Sequence, residues 1–308
     1  MDNIQLRDSL TLAIESFFVA KASENLSPRT ITTYRDALNR FIGWIRAKGV
    51  SDPTQITPAH VRAYIAELNQ QDYKSSYVHG LVRPVKTLLR FWYDDEIVPT
   101  DVFRRVKMPK LDKPIMPAFS SEDVRKVLDA AKDNLRDTCI FVTLLDSGMR
   151  AQELCDLKVG DLNIKTGAIV IQHGKGAKGR TVYVDAKAKR HLLKYLLSRG
   201  NPADAEPLFP SARTNEHMTP NGLLLLCRRY AEKTGVQNFH PHTFRHTFVT
   251  ESLKSGLDLA RLAMLCGHSR IEQTKNYAAL VQADLQSAHE EHSALNHLLG
   301  GRKNGSKK

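Results

Sequence analysis

At 308 residues, 42% of them apolar, the chain is long enough for two ordinary domains, each with its own core. No apolar run approaches the roughly 18 residues that span a bilayer, and the opening MDNIQLRDSL has no basic-then-apolar secretory pattern, so neither a membrane nor export is expected. The net charge of +12 argues against an acidic surface and toward a polyanionic partner, of which nucleic acid is the commonest.

In chain order, residues 1–106 read as about four amphipathic helices. The first lies around Leu10 to Ala20. Ser27-Pro28 sets an N-cap with proline at the first helical position, and Ile31, Tyr34, Leu38, Phe41, Ile42 and Ile45 recur at helical spacing until Gly49. Thr57-Pro58 repeats the start signal ahead of Val61, Tyr64, Ile65 and Leu68. A fourth helix runs through Leu81 to Tyr93, where Pro84 should begin or kink it. No cluster of acids, histidines or cysteines here looks catalytic, so this is a module that packs and binds.

Residues 107–118, KMPKLDKPIMPA, hold three prolines and three lysines and read as a semi-extended basic linker. The second domain spans 119–300. Ser120, Ser121, Glu122 and Asp123 open a helix over Val124, Val127 and Leu128, and another runs from about Arg136 to Ser147, stopped by Gly148. Three strand signals follow, at Asp161–Ile164, Ala168–Gln172 and Thr181–Asp185, the first pair joined by Lys165-Thr166-Gly167. The remainder reads as helical to about Leu299, ahead of a disordered basic tail at 301–308. Cys139, Cys155, Cys227 and Cys266 form no CxxC pair and read as buried free thiols of a reducing cytoplasm.

Four stretches of this domain hold polar residues that folding does not require. In LLDSGMRAQELCDL, Arg150 follows a helix-ending glycine and Glu153 lies three residues on. HGKGAKGR sets Lys175, Lys178 and Arg180 among glycines between two strands, without the spacing of a P-loop. HPHTFRHTFVT has His242 and Arg245 three apart at a helix start, and LCGHSRIEQTKNYAAL has His268 nine residues before Tyr277. His242 and His246 are four apart, but HTFRH lacks the glutamate of a HExxH zinc site, and His246 is expected to pack or hydrogen-bond beside the site. This set suits attack on a phosphodiester. A tyrosine hydroxyl can hold a phosphoryl group covalently but needs a base, since its free pKa is about 10. Two guanidiniums match the charge of the transition state, and a lysine on a flexible hairpin can protonate the departing oxygen. No metal or other cofactor is needed.

Arg150, Lys175, His242-x-x-Arg245, His268 and Tyr277 resemble, in order and local context, the Arg, Lys, His-x-x-Arg, His and Tyr series of the tyrosine recombinase (phage integrase) family. The likeness runs from about residue 7 to 285, and the layout is similar to that of the Xer recombinases, without the extra arm-binding domain of lambda integrase. It implies a mainly α fold with a small antiparallel β-sheet: a helical, SAM-like core-binding domain that binds DNA, and an α/β catalytic domain. It implies roles as well. Tyr277 would form a 3′-phosphotyrosine, Arg150 and Arg245 would hold the phosphate, and Lys175 would protonate the 5′ oxygen. His242 would be the base, His268 would hydrogen-bond the phosphate, and Glu153 would orient Arg150. Phe244 stands where leucine is usual, and Cys266 between Leu265 and Gly267; both are apolar exchanges at core positions. The implied partners are double-stranded DNA with a specific recombination site and a homotetramer, or pairing with a related recombinase, on that DNA. The apolar positions between Ala278 and Leu299 fit a last helix, about 284–299, docking on a neighbouring protomer or else packing within its own domain. A type IB topoisomerase, or a catalytically silent DNA-binding protein on the same fold, is the alternative. The silent protein should lack some of the six residues, and none is missing.

Overall fold

The computed structural model describes residues 8–24, 26–111, 117–172 and 179–267. The chain divides into two compact units, Met1–Pro114 and Ile115–Lys308. Lys175, His268, Tyr277, the 284–299 helix and the basic tail lie outside the described residues.

Among the described residues the first unit holds four α-helices, α1 (Ser9–Ser23), α2 (Pro28–Arg46), α3 (Pro58–Gln70) and α4 (Ser75–Asp94). Their starts follow local chemistry. Ser27 and Thr57 accept the N–H groups of Thr30 and His60, each with proline at the first helical position, where no N–H is needed. The apolar stripes meet in one core around Phe17, Phe41, Tyr64, Leu88 and Trp92, and the Trp92 indole N–H donates to the Ala13 carbonyl at 2.9 Å. Pro84 does not begin α4, which starts nine residues earlier at Ser75 and runs through it. The backbone bond forfeited to Gly80 is outweighed because both flanks bury large side chains: Leu81, Val82 and Val85 beside it, Leu88, Leu89 and Trp92 beyond.

The second unit begins with α5 (Ser121–Ala131) and α6 (Leu135–Ser147), followed by the short α7 (Ala151–Asp156). Three strands then form an antiparallel sheet in the order β1 (Leu162–Asn163), β2 (Ala168–Ile171), β3 (Arg180–Tyr183). Ile169 faces Leu162 on one side and Val182 on the other. The turn at 165–167 forms as expected: Asn163 Oδ1 accepts the N–H groups of Lys165 and Thr166, and Gly167 takes φ +79°. Helices α8 (Ala186–Ser198), α9 (Pro220–Thr234), α10 (Pro241–Lys254) and α11 (Leu259–Cys266) complete the described part. Between α8 and α9 the chain departs from the helical reading of the residues after the strands. Residues 201–219 instead run as turns with bridges Lys158↔Pro207 and Pro210↔His217, and Pro202, Pro207 and Pro210 would each cost a helix one backbone hydrogen bond.

Helix α6 is the core of this unit, burying Cys139, Ile140, Phe141 and Leu144. Phe141 and Phe244 stack at 5.7 Å, so the phenylalanine in place of leucine is a packing residue. Asp137 is fully buried, with its carboxylate shared among Arg136, Arg229 and the Tyr230 hydroxyl. All four cysteines are buried and free, and burial pushes the Cys139, Cys155 and Cys227 thiols up to about 12. No helix among the described residues is long and apolar enough to cross a membrane.

Candidate active site

Gly148 ends α6 in the left-handed conformation, φ +59°, and a Cβ there would lie 2.2 Å from the Phe248 ring. Only glycine fits both demands. The chain then turns through the fully buried Met149 to Arg150, which caps the start of α7. Three residues later, Glu153 reaches back to that cap: its Oε2 accepts the Arg150 backbone N–H at 2.7 Å, and its Oε1 accepts Arg150 Nη1 at 2.8 Å. Glu153 therefore fixes both the backbone and the guanidinium of Arg150.

Pro241 at the first position of α10 starts the helix, with His242 exposed beside it and Arg245 one turn on. The His240 and His242 rings lie 6.3 Å apart, and burial followed by the charge of His242 lowers the pKa of His240. Arg245 Nη1 donates to the Gly148 carbonyl at 2.8 Å and Nη2 to the Cys266 carbonyl at 2.7 Å.

The end of α11 is the meeting point. Gly267 terminates the helix at φ +60°, leaving the last carbonyls without partners inside the helix. Three successive carbonyls are taken by three arginines: Leu265 by Arg180 Nε at 2.9 Å, Cys266 by Arg245, and Gly267 by Arg150 Nη2 at 2.9 Å. Cations are well placed at a helix C-terminus. The structure thus brings Arg150 and Arg245 to one spot, at the residue immediately before His268. The Nε groups of both arginines have no partner among the described residues.

Burial raises the pKa of Glu153, but hydrogen bonds and charge from Arg180, and then the Arg150 contacts, outweigh it and bring the carboxyl down to about 2. The Arg180–Glu153 fork, with both contacts at 2.7 Å, is absent from the motif series. Its only sequence signal is an arginine at the exit of the Gly-rich hairpin, facing a glutamate 27 positions back that no periodicity links to it. No group of three or more metal-ligating side chains occurs among the described residues.

Residues 118–283 match the family model described as the phage integrase family, and residues 15–91 match its N-terminal SAM-like domain. The chain belongs to the phage integrase family of tyrosine recombinases. It is 28% identical to the tyrosine recombinase XerA of Thermococcus kodakarensis, over 93% of this chain and 97% of the relative. It is 29% identical to XerC of Roseiflexus castenholzii, covering 91% of each. Among solved structures, a lambda integrase dimer bound to a COC′ core site is similar at TM-score 0.71 and 16% identity, over 87% of this chain and 94% of that one. XerH bound to difH is similar at 0.64 and 18%, over 92% and 91%. These members share the fold expected from the sequence, mainly helical with a small antiparallel sheet and a helical N-terminal domain.

Proposed function

We propose that the chain is a site-specific DNA recombinase that cleaves and rejoins DNA through a 3′-phosphotyrosine at Tyr277. The observation that carries this reading is the convergence of Arg150 and Arg245 on the carbonyls of Cys266 and Gly267, one residue before His268. Two fixed, always-charged forks, each with an Nε unpartnered among the described residues, suit a phosphate whose charge grows in the transition state.

In the proposed reaction the Tyr277 hydroxyl attacks the scissile phosphorus and gives its proton to His242. A P–O bond to tyrosine forms as the P–O5′ bond breaks, and Lys175 protonates the departing 5′ oxygen. His268 hydrogen-bonds the phosphate. The reverse attack by a 5′-hydroxyl from a partner duplex rejoins the strand, so bond energy is conserved and no ATP, metal or cofactor enters. Exchange of four strands through a Holliday junction calls for four active sites, hence a homotetramer, or pairing with a related recombinase, on DNA carrying a specific site. In this reading the N-terminal helical unit, residues 1–106, binds DNA, the 107–118 linker joins it to the catalytic domain, 119–300, and the protein works in the cytoplasm, in chromosome dimer resolution or mobile-element integration and excision.

The test is a selection. The full-length chain is used to retain duplexes from a random pool, and the enriched site is rebuilt with a nick near the centre. Covalent protein–DNA complexes on that duplex, and strand exchange between two intact copies, are expected. Efficient relaxation of supercoiled plasmid lacking the enriched site, without strand exchange, would favour a type IB topoisomerase instead.

A further inference from the structure

Arg180 stands at the first position of β3, where the chain leaves the hairpin that carries Lys175. Its three nitrogens are all committed to protein: Nε to the Leu265 carbonyl, Nη1 and Nη2 to the two carboxylate oxygens of Glu153. One side chain therefore ties together the segments that carry three motif elements: the hairpin exit, the Arg150–Glu153 turn, and the end of α11 ahead of His268. Its side chain is 11% exposed against 27% for Arg150, and Glu153 between them is 4% exposed. Arg150 is thus the more exposed of the two guanidiniums, whereas each Arg180 nitrogen already donates to protein. The path of α11 is shaped around it, since a Cβ on Gly267 would come within 3.0 Å of the Arg180 Cδ and Nη1.

We infer that Arg180 is a positioning residue of the reaction: by holding Glu153 in a two-pronged ion pair and pinning the end of α11, it sets the orientation of Arg150 toward the scissile phosphate. The inference rests on the recombinase reading above. A lysine cannot replace the fork, because a point charge on a flexible stem makes one directed contact where the guanidinium makes two in a plane. The groups facing Glu153 are Arg150 at the start of α7, Arg180 on β3, and Arg245 and Cys266 from α10 and α11. Asp156, Lys158 and Asp161 line the adjoining cavity. Without Arg180, burial works on Glu153 with less opposition, so its carboxyl takes up a proton at higher pH and Arg150 loses a charged acceptor.

The experiment compares wild type, Arg180→Gln, Arg180→Lys and the double variant Arg180→Gln/Glu153→Gln as full-length chains. Three quantities are measured: affinity for a half-site of the enriched duplex, the first-turnover rate of covalent complex on its nicked form at saturating protein, and melting temperature against pH. Arg180→Gln should bind the half-site within about threefold of wild type and react on the order of 100-fold more slowly, in the range seen when one transition-state donor is lost. Arg180→Lys should fall between. The part of the acid decline of melting temperature that comes from Glu153 should be shallower and end at higher pH in Arg180→Gln, and be absent in the double variant. A wild-type rate in Arg180→Gln would overturn the inference, as would parallel loss of binding and rate with the acid decline unmoved. If wild type itself forms no covalent complex, the recombinase reading fails and the reaction role falls with it, whereas the acid decline still tests the hold of Arg180 on Glu153: changed supports that hold, unchanged overturns it.

Discussion

Gly148→Ala is the substitution whose cost can be worked most directly from the structure. A side chain at φ +59° costs about 1–2 kcal/mol for the left-handed backbone alone. The new Cβ would also stand 2.2 Å from a Phe248 ring carbon, well inside contact distance. Relieving that overlap moves either the ring or the α6–α7 turn, for about 1–3 kcal/mol more. A total near 2–5 kcal/mol lowers the melting temperature by roughly 5–15 °C in a unit of this size. Gly235→Ala is the matched control. It has a similar φ of +73° in the same unit and nothing within 4 Å of a Cβ, so it should show the backbone cost only. The difference between the two isolates the collision, and adding Phe248→Ala should shrink the cost of Gly148→Ala, since the pair is in contact. Because the Gly148 carbonyl accepts Arg245, the strained variant should also cleave more slowly than its folded fraction accounts for. Equal melting temperatures for Gly148→Ala and Gly235→Ala would refute the reasoning.

The folded Glu153 carboxyl titrates near 2 against an ordinary 4.5, so its contribution, on the order of 3 kcal/mol, is fully present above about pH 5 and lost as pH falls through the folded value. Glu153→Gln should flatten that part of a stability–pH curve measured by denaturant titration. Asp137→Ala removes a fully buried carboxylate from Arg136, Arg229 and Tyr230 and should cost about 3 kcal/mol in urea unfolding, with cleavage per folded molecule unchanged. Arg245→Ala should lose about 3 kcal/mol or more of transition-state stabilisation in first-turnover kinetics. Lys175→Ala should be slow on a normal 5′ oxygen but partly rescued by a 5′-bridging sulfur, which leaves without a proton; absence of rescue would move the acid role elsewhere, with Lys178 next in line.

Local signals were the legible ones. Ser27-Pro28, Thr57-Pro58 and Gly148 mark helix ends through bonds made within a few residues, and β2 and β3 fall within the strand signals at 168–172 and near 181–185. Pro84 does not mark the start of α4 because its cost is local, whereas the burial that overrides it comes from neighbouring helices. The turns of 201–219 break the helical reading of the remainder at Pro202, Pro207 and Pro210, and their bridges to Lys158 and His217 leave no periodic signal. At the site, motif order located Arg150 and Arg245, and the three-residue spacing located Glu153. Arg180 stayed out of view because its contacts to Glu153 and Leu265 span 27 and 85 positions and leave no periodic trace.

The central claim, a tyrosine nucleophile at Tyr277, meets its most direct test in covalent trapping on the nicked form of the enriched duplex. Wild type should run as a shifted protein–DNA band on a denaturing gel, in excess EDTA as well as without it. Tyr277→Phe removes one hydroxyl, so it should bind the same duplex with nearly unchanged affinity and give no shifted band. A shifted band from Tyr277→Phe would contradict the claim.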